Sequence, residues 1–141
     1  MKKNKLPIVI VATIVVIVAA FAIPLNKTQN SDTVNTNLKA ALGSIRMKGE
    51  IYYAAHSNSY NTDGMTAGVN CASPETLFVD ATIKPILESI AVNAENGPFC
   101  SSLESGKSWA VSATLRGGAG DWCVDSNGGS KPGVAAGGVC I

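Results

Sequence analysis

The first 25 residues contain a run of twenty, Leu6 to Leu25, with no charge and a single polar side chain, Thr13. Wound as a helix, such a run is about 30 Å long, roughly the thickness of a bilayer's hydrocarbon core. Lys2, Lys3 and Lys5 precede it, whereas Lys27 and Asp32 beyond it cancel. The cationic flank stays on the cytoplasmic side, so the chain after Leu25 is expected outside the membrane. The expected organisation is therefore a basic tip and transmembrane helix over 1–25, followed by an exported domain over 26–141. Leu6, Ile14, Phe21, Pro24 and Leu25 mark the membrane helix. A second route outward stays open, because Ala20-Phe21-Ala22 fits the small-x-small rule of a cleaved signal peptide.

Beyond the apolar run the chain carries eight Lys/Arg against all ten Asp/Glu. Phosphate neutralisation needs clustered cations, and the only cluster sits at the N-terminus, so charge argues against a nucleic-acid partner. The four cysteines, Cys71, Cys100, Cys123 and Cys140, all lie in the exported part. An even number in a small exported domain reads as two disulfides, and the lack of a C-x-x-C pair argues against zinc. Sequential pairing, Cys71–Cys100 with Cys123–Cys140, stands beside the nested alternative, Cys100–Cys123 with Cys71–Cys140.

From Ser31 to about Ala55, Val34, Leu38, Ala41, Leu42, Ile45 and Tyr52 recur at three- and four-residue steps, which predicts an amphipathic helix. Arg46 and Glu50 are spaced to pair on it. Gly43 and Gly49 each weaken it by roughly 1 kcal/mol relative to alanine. His56 to Asn70 reads as loop. Ser73-Pro74-Glu75 predicts a second helix start, with Leu77, Phe78, Ile83, Ile86, Leu87 and Ile90 carrying the pattern to about Val92. Pro85 is expected to kink or split it, and Asn96-Gly97-Pro98 to end it. The period then changes. Trp109, Val111, Ala113 and Leu115 alternate with Ala110, Ser112 and Thr114, which predicts a half-buried strand. A glycine-rich turn at 117–121 leads to a return strand, Trp122 to Asp125, and Gly137 to Ile141 suggests a short last strand. The fold class is α+β: a long helix, hydrophobic then amphipathic, packed on a small C-terminal antiparallel sheet.

This order of parts resembles the type IV pilins and pseudopilins. Ala19-Ala20-Phe21-Ala22-Ile23-Pro24 is similar to the stretch that closes the apolar half of many pilin helices. Trp122-Cys123-Val124-Asp125-Ser126 with the strand before it resembles the C-terminal hairpin of small bacterial pilin-like proteins, and Tyr52-Tyr53 with Asn58-Ser59-Tyr60 resembles another of their segments. The chain departs from the family at its start. No glycine precedes Gly43, no acid precedes Asp32, and Pro7 stands where the family's glutamate belongs, so neither a prepilin peptidase site nor that glutamate is recognisable. The resemblance implies a structural subunit, major or minor, of a pilus- or pseudopilus-like fibre, at the cell surface, with other pilin-like subunits and the membrane as partners. The alternative is a tethered or cleaved extracellular binding or adhesion module that does not polymerise.

Residues that carry chemistry are few. Asp121, Asp125 and Asn127 gather oxygen ligands near a glycine-rich turn, a weak calcium candidate, because calcium takes six to eight oxygens and solvated turn residues look the same. Trp109 and Trp122 suit either an exposed aromatic patch or core packing against the long helix. His56 has no nucleophile or acid beside it in sequence, and Ser101, Ser102 and Ser105 lack a G-x-S-x-G setting. No enzyme, cofactor, metal or small-molecule substrate is expected. The native chain is expected in the membrane fraction with an N-terminal mass that retains Leu6–Leu25. A soluble chain starting at Ile23, seen by the same mass measurement on the medium, would instead mark signal-peptide cleavage.

Overall fold

A computed structural model describes residues 25–61, 70–103 and 105–141, with side chains from Asn30 onward. The expected membrane-helix residues Leu6, Ile14, Phe21 and Pro24 lie outside the described residues, and Leu25 opens the first helix. Among the described residues no helix is long and apolar enough to cross a membrane.

Helix α1, Leu25–Ala55, is 31 residues long, about 46 Å. Its buried positions are Asn35, Leu38, Leu42, Ile45, Gly49 and Tyr52, a three-four alternation that makes one continuous stripe. That stripe meets Trp109, Val111, Ala113, Leu115 and Val124 of the sheet, and the core closes with Leu77, Phe78, Ile83, Leu87 and Ile90. Each buried Leu or Ile here stabilises the fold by about 1.5–3 kcal/mol relative to leaving it in water.

The two helix glycines differ. A Cβ on Gly49 would lie 3.0 Å from Cζ2 of the fully buried Trp109, so the missing side chain is what lets indole and helix backbone meet. A Cβ on Gly43 would find nothing within 4 Å. Arg46 and Glu50 do not serve each other either. Arg46 donates to the Gly129 carbonyl at 3.1 Å, and Glu50 accepts from the Tyr60 hydroxyl at 2.7 Å.

The second helix starts later than its sequence suggests. Ser73-Pro74-Glu75 forms a turn, with Glu75 at φ 61°, and Thr76 is extended and bridges antiparallel to Asn61. That bridge takes the backbone out of helical geometry. A single 3-10 turn, Leu77–Val79, follows, and helix α2 runs only from Lys84 to Asn93. Pro85 sits in the first turn of α2, where its missing N–H has no partner to lose, so it begins a helix instead of kinking one.

Strand β1, Asn96–Ser102, was not expected, because Asn-Gly-Pro reads as a turn. The strand absorbs that tripeptide as a register irregularity between Asn96 and Phe99, then pairs regularly with β2, Trp109–Thr114. Strand β3, Asp121–Asp125, pairs with β2 as the expected hairpin, and β4, Ser130–Pro132, adds the other edge. The four-stranded antiparallel sheet has the order β1-β2-β3-β4. Two short strands, β5 (Ala135–Ala136) and β6 (Val139–Cys140), pair as a separate ribbon.

That ribbon corrects the half-buried reading of β2. Trp109 to Ala113 are buried on both faces. One face meets the helix. The other holds Ala110 in a small cluster with Cys123, Cys140 and Ala135, while Ser112 accepts a hydrogen bond from the Ala135 N–H at 3.0 Å. Ser112, polar and therefore assigned to solvent, is satisfied inside.

Sequential disulfides close the domain. Cys71–Cys100 ties the segment before the 3-10 turn to β1, and Cys123–Cys140 ties β3 to the ribbon. With separations of 29 and 17 residues they restrict the unfolded chain by about 3.6 and 3.1 kcal/mol in the entropic account.

The two glycines give a paired prediction. Gly43→Ala is expected to raise unfolding free energy by about 1 kcal/mol, measured by denaturant titration, because it gains helix propensity in open space. Gly49→Ala should lose that gain to the indole contact, and Gly49→Val should destabilise by about 1–3 kcal/mol through overpacking.

Candidate functional surfaces

Of the calcium candidates, Asp125 and Asn127 meet in the β3–β4 turn, whereas Asp121 stands at the other end of β3. Asp125 is buried, and its Oδ1 accepts from the N–H groups of Asn127 at 2.9 Å and Gly129 at 2.7 Å. Its Oδ2 accepts from Cys140 N–H at 3.0 Å. The carboxylate thus clamps the β3–β4 turn to the last strand. Asp121 accepts from the Thr114 hydroxyl at 2.6 Å, and Asn127 is exposed on the turn. Among the described residues no group of three or more His, Cys, Asp and Glu is arranged to hold a metal ion.

The two tryptophans part company. Trp109 is fully buried, edge-on to Tyr60 with ring centroids 6.2 Å apart. Trp122 is half-buried against the core, and Lys39 places its Nζ 4.0 Å from the Trp122 ring centroid, a cation–π contact across helix and sheet. His56 stacks on Tyr52 at 3.8 Å and its Nδ1 meets the Tyr52 carbonyl at 2.8 Å, so it finishes the end of α1. Ser102 is buried beside Asn61 in a hydrogen bond of 3.3 Å, whereas Ser101 accepts from Gly138 N–H at 3.0 Å. These serines fasten strands.

Sequence reasoning missed a clamp that joins α1 to the end of α2 through Arg116. Asn35 donates to the Arg116 carbonyl at 3.0 Å and accepts from Arg116 N–H at 2.8 Å. The Arg116 guanidinium in turn donates to the carbonyls of Asn93 and Val92 at the end of α2. A polar residue inside an apolar stripe was the available signal, since a buried amide needs partners.

Among the described residues, two surfaces offer apolar contact to something else. The first is the solvent side of α1. Ala40, Met47, Ile51 and Ala54 are exposed there, with Met47 at 67% and Ile51 at 68%. Gly43 and Ser44 are half-buried between them, so the stripe is apolar, narrow and shallow. The second is a groove of about 560 Å³ between α2 and the first disulfide, walled by Cys71, Ala72, Leu87, Ala91 and Pro98 with Lys84 and Glu88 at its rim. Comparison with protein-family models, with curated proteins and with solved structures finds no match.

Charge states bind the base of α1 to its surroundings. Burial, then donation to Glu50 and the charge of Glu50, pushes the Tyr60 phenol well above the ordinary tyrosine value. Burial, then the Asp80 carboxylate, raises Tyr52. The Thr82 hydroxyl, at 2.6 Å, holds Asp80 below the usual carboxylate value.

A raised tyrosine stays neutral in the fold after the unfolded chain has begun to ionise. Its contribution is intact below about pH 10 and is lost as pH rises through the higher folded value. Asp80 has the opposite sign, with a contribution present above about pH 4 that disappears as pH falls through its depressed folded value. Denaturant midpoints should therefore fall on the alkaline side of about pH 10, and Tyr60→Phe should flatten that fall. At neutral pH the same variant should cost about 1 kcal/mol for the lost hydrogen bond.

Proposed function

We propose that this chain is a structural subunit, major or minor, of a type IV pilus- or pseudopilus-like fibre, anchored in the membrane by Leu6–Leu25 before assembly. The domain over 26–141 faces outward, at the cell surface and then along the fibre. Its partners are other pilin-like subunits, met through the long helix, and its mechanism is packing, without catalysis, cofactor or nucleic acid.

The observation that carries this reading is the two-sided α1. One stripe, Leu38 to Tyr52, is consumed by the sheet, while a second, Ala40 to Ala54, is apolar and bare. A helix polar on its outer face would need no neighbour. Small residues along the bare stripe would let another helix approach closely, and α1 begins at Leu25, the last residue of the apolar run. Disulfides and a buried carboxylate close the other end of the domain, as suits a part held in an oxidising exterior.

A tethered or cleaved binding module is the second reading. The groove beside Cys71 favours it, as does Pro7 in place of an N-terminal acid. Membrane and sheared surface fractions from the native host, imaged by electron microscopy, separate the two. The wild-type chain is expected in sheared fibres, and Ile51→Lys should lower the fibre fraction about tenfold or more, equivalent to roughly 1.4 kcal/mol per contact. The exposed position leaves the fold intact, as retained disulfides and an unchanged denaturation midpoint would confirm. A chain absent from every fibre, with Ile51→Lys indistinguishable from wild type, would make the binding module the answer.

A further inference from the structure

We propose that Asn96 is a self-modifying site: its carboxamide is converted, without an enzyme, to an aspartyl or isoaspartyl carboxylate through ring closure by the Gly97 nitrogen. This inference is independent of the fibre reading.

Three observations meet at this residue. Asn96 is exposed at the open start of β1, so water reaches it. The Gly97 N–H donates to Asn96 Oδ1 at 3.0 Å, which places the attacking nitrogen beside the carboxamide it must reach. That nitrogen lies in the register irregularity between Asn96 and Phe99, so closing the ring breaks no regular rung between β1 and β2. Gly97 also presents no side chain to obstruct the attack, and the fold enforces glycine there: φ is 101°, and a Cβ would stand 3.2 Å from the Ala113 Cα.

The chemistry balances with water alone. The Gly97 nitrogen loses its proton and bonds to Cγ of Asn96, the Cγ–Nδ2 bond breaks, and Nδ2 departs with that proton as ammonia. Water then opens the succinimide at either carbonyl. Opening at one leaves an ordinary aspartyl residue in place of the asparagine, and opening at the other gives an isoaspartyl link with one more methylene in the main chain. Both products add a negative charge next to Glu95, and the longer link falls where the ladder already tolerates irregularity.

Asn127-Gly128 is the same dipeptide in a different setting. The N–H groups of Asn127 and Gly129 on either side both donate to the buried Asp125, which fixes the turn from which ring closure would have to start. The fold is therefore expected to select Asn96 over Asn127.

The test incubates the full, disulfide-intact chain at mildly alkaline pH, folded and in guanidinium, followed by peptide mapping and isoaspartyl methyltransferase labelling. Asn96 should acquire the acidic mass and the label at least as fast in the folded chain as in the denatured one, and ahead of Asn127. Asn96→Gln should remove the signal from that peptide. Slower conversion of Asn96 when folded than when denatured, or conversion led by Asn127, would overturn the proposal.

Discussion

The seating of Trp109 on Gly49 is the contact from which the rest of the domain is measured. A helix and a sheet each bury one face, but sliding the helix by a turn would still cover apolar surface. The indole removes that freedom, because only a residue without a Cβ admits it at 3.0 Å, and Gly49 is the single position of the buried stripe that qualifies. Once it is seated, polar contacts along the same helix fall into place: Asn35 reaches Arg116, Arg46 reaches Gly129 and Glu50 reaches Tyr60. Each is individually modest, about 1 kcal/mol. Together they are satisfied at one register and broken at any other, which is how polar groups specify an arrangement that hydrophobic burial alone would leave degenerate.

The far side of the sheet is organised by different means. A two-residue ribbon such as β5–β6 has too little surface to hold itself down. Cys123–Cys140 anchors it covalently, and the Asp125 carboxylate accepts the Cys140 N–H while holding its own turn. The ribbon then converts β2 into a central strand with no wet face. A small domain gains core in this way without growing, since the same strand is buried twice.

How much of this was legible follows from range. The α1 stripe, the β2–β3 hairpin and the disulfide-bearing character of the domain were readable, because periodicity and cysteine spacing are local signals. The helix over Ser73 to Val92 was misread at its start because the antiparallel bridge between Asn61 and Thr76, fifteen residues apart, overrides the local capping pattern. Strand β1 was missed because Asn96-Gly97-Pro98 has turn chemistry that the sheet accommodates as an irregularity. The burial of Ser112 and Asp125 was not legible for a related reason: their partners, Ala135 and Cys140, lie in a ribbon whose position no periodicity encodes. At the candidate surfaces the sequence pointed to the helix but not to its outer stripe, since one apolar period conceals a second offset by part of a turn.

That offset gives one helix two chemically different faces. Residues 38, 42, 45, 49 and 52 face the sheet, and 40, 47, 51 and 54 face outward, so the two stripes lie on different sides of the same cylinder. The sheet-facing stripe carries large aliphatic side chains, Tyr52 and one glycine matched to an indole, a surface complementary to a fixed partner. The outer stripe mixes alanine with methionine and isoleucine and has open space above Gly43. Methionine's flexible thioether adapts to irregular gaps, whereas tight specification needs rotamer-poor branched side chains. A face built this way is less tightly specified than the one against the sheet. Rigidity therefore resides inside the domain, where Gly49 and Trp109 set the register, and adjustability resides on the helix face that remains open.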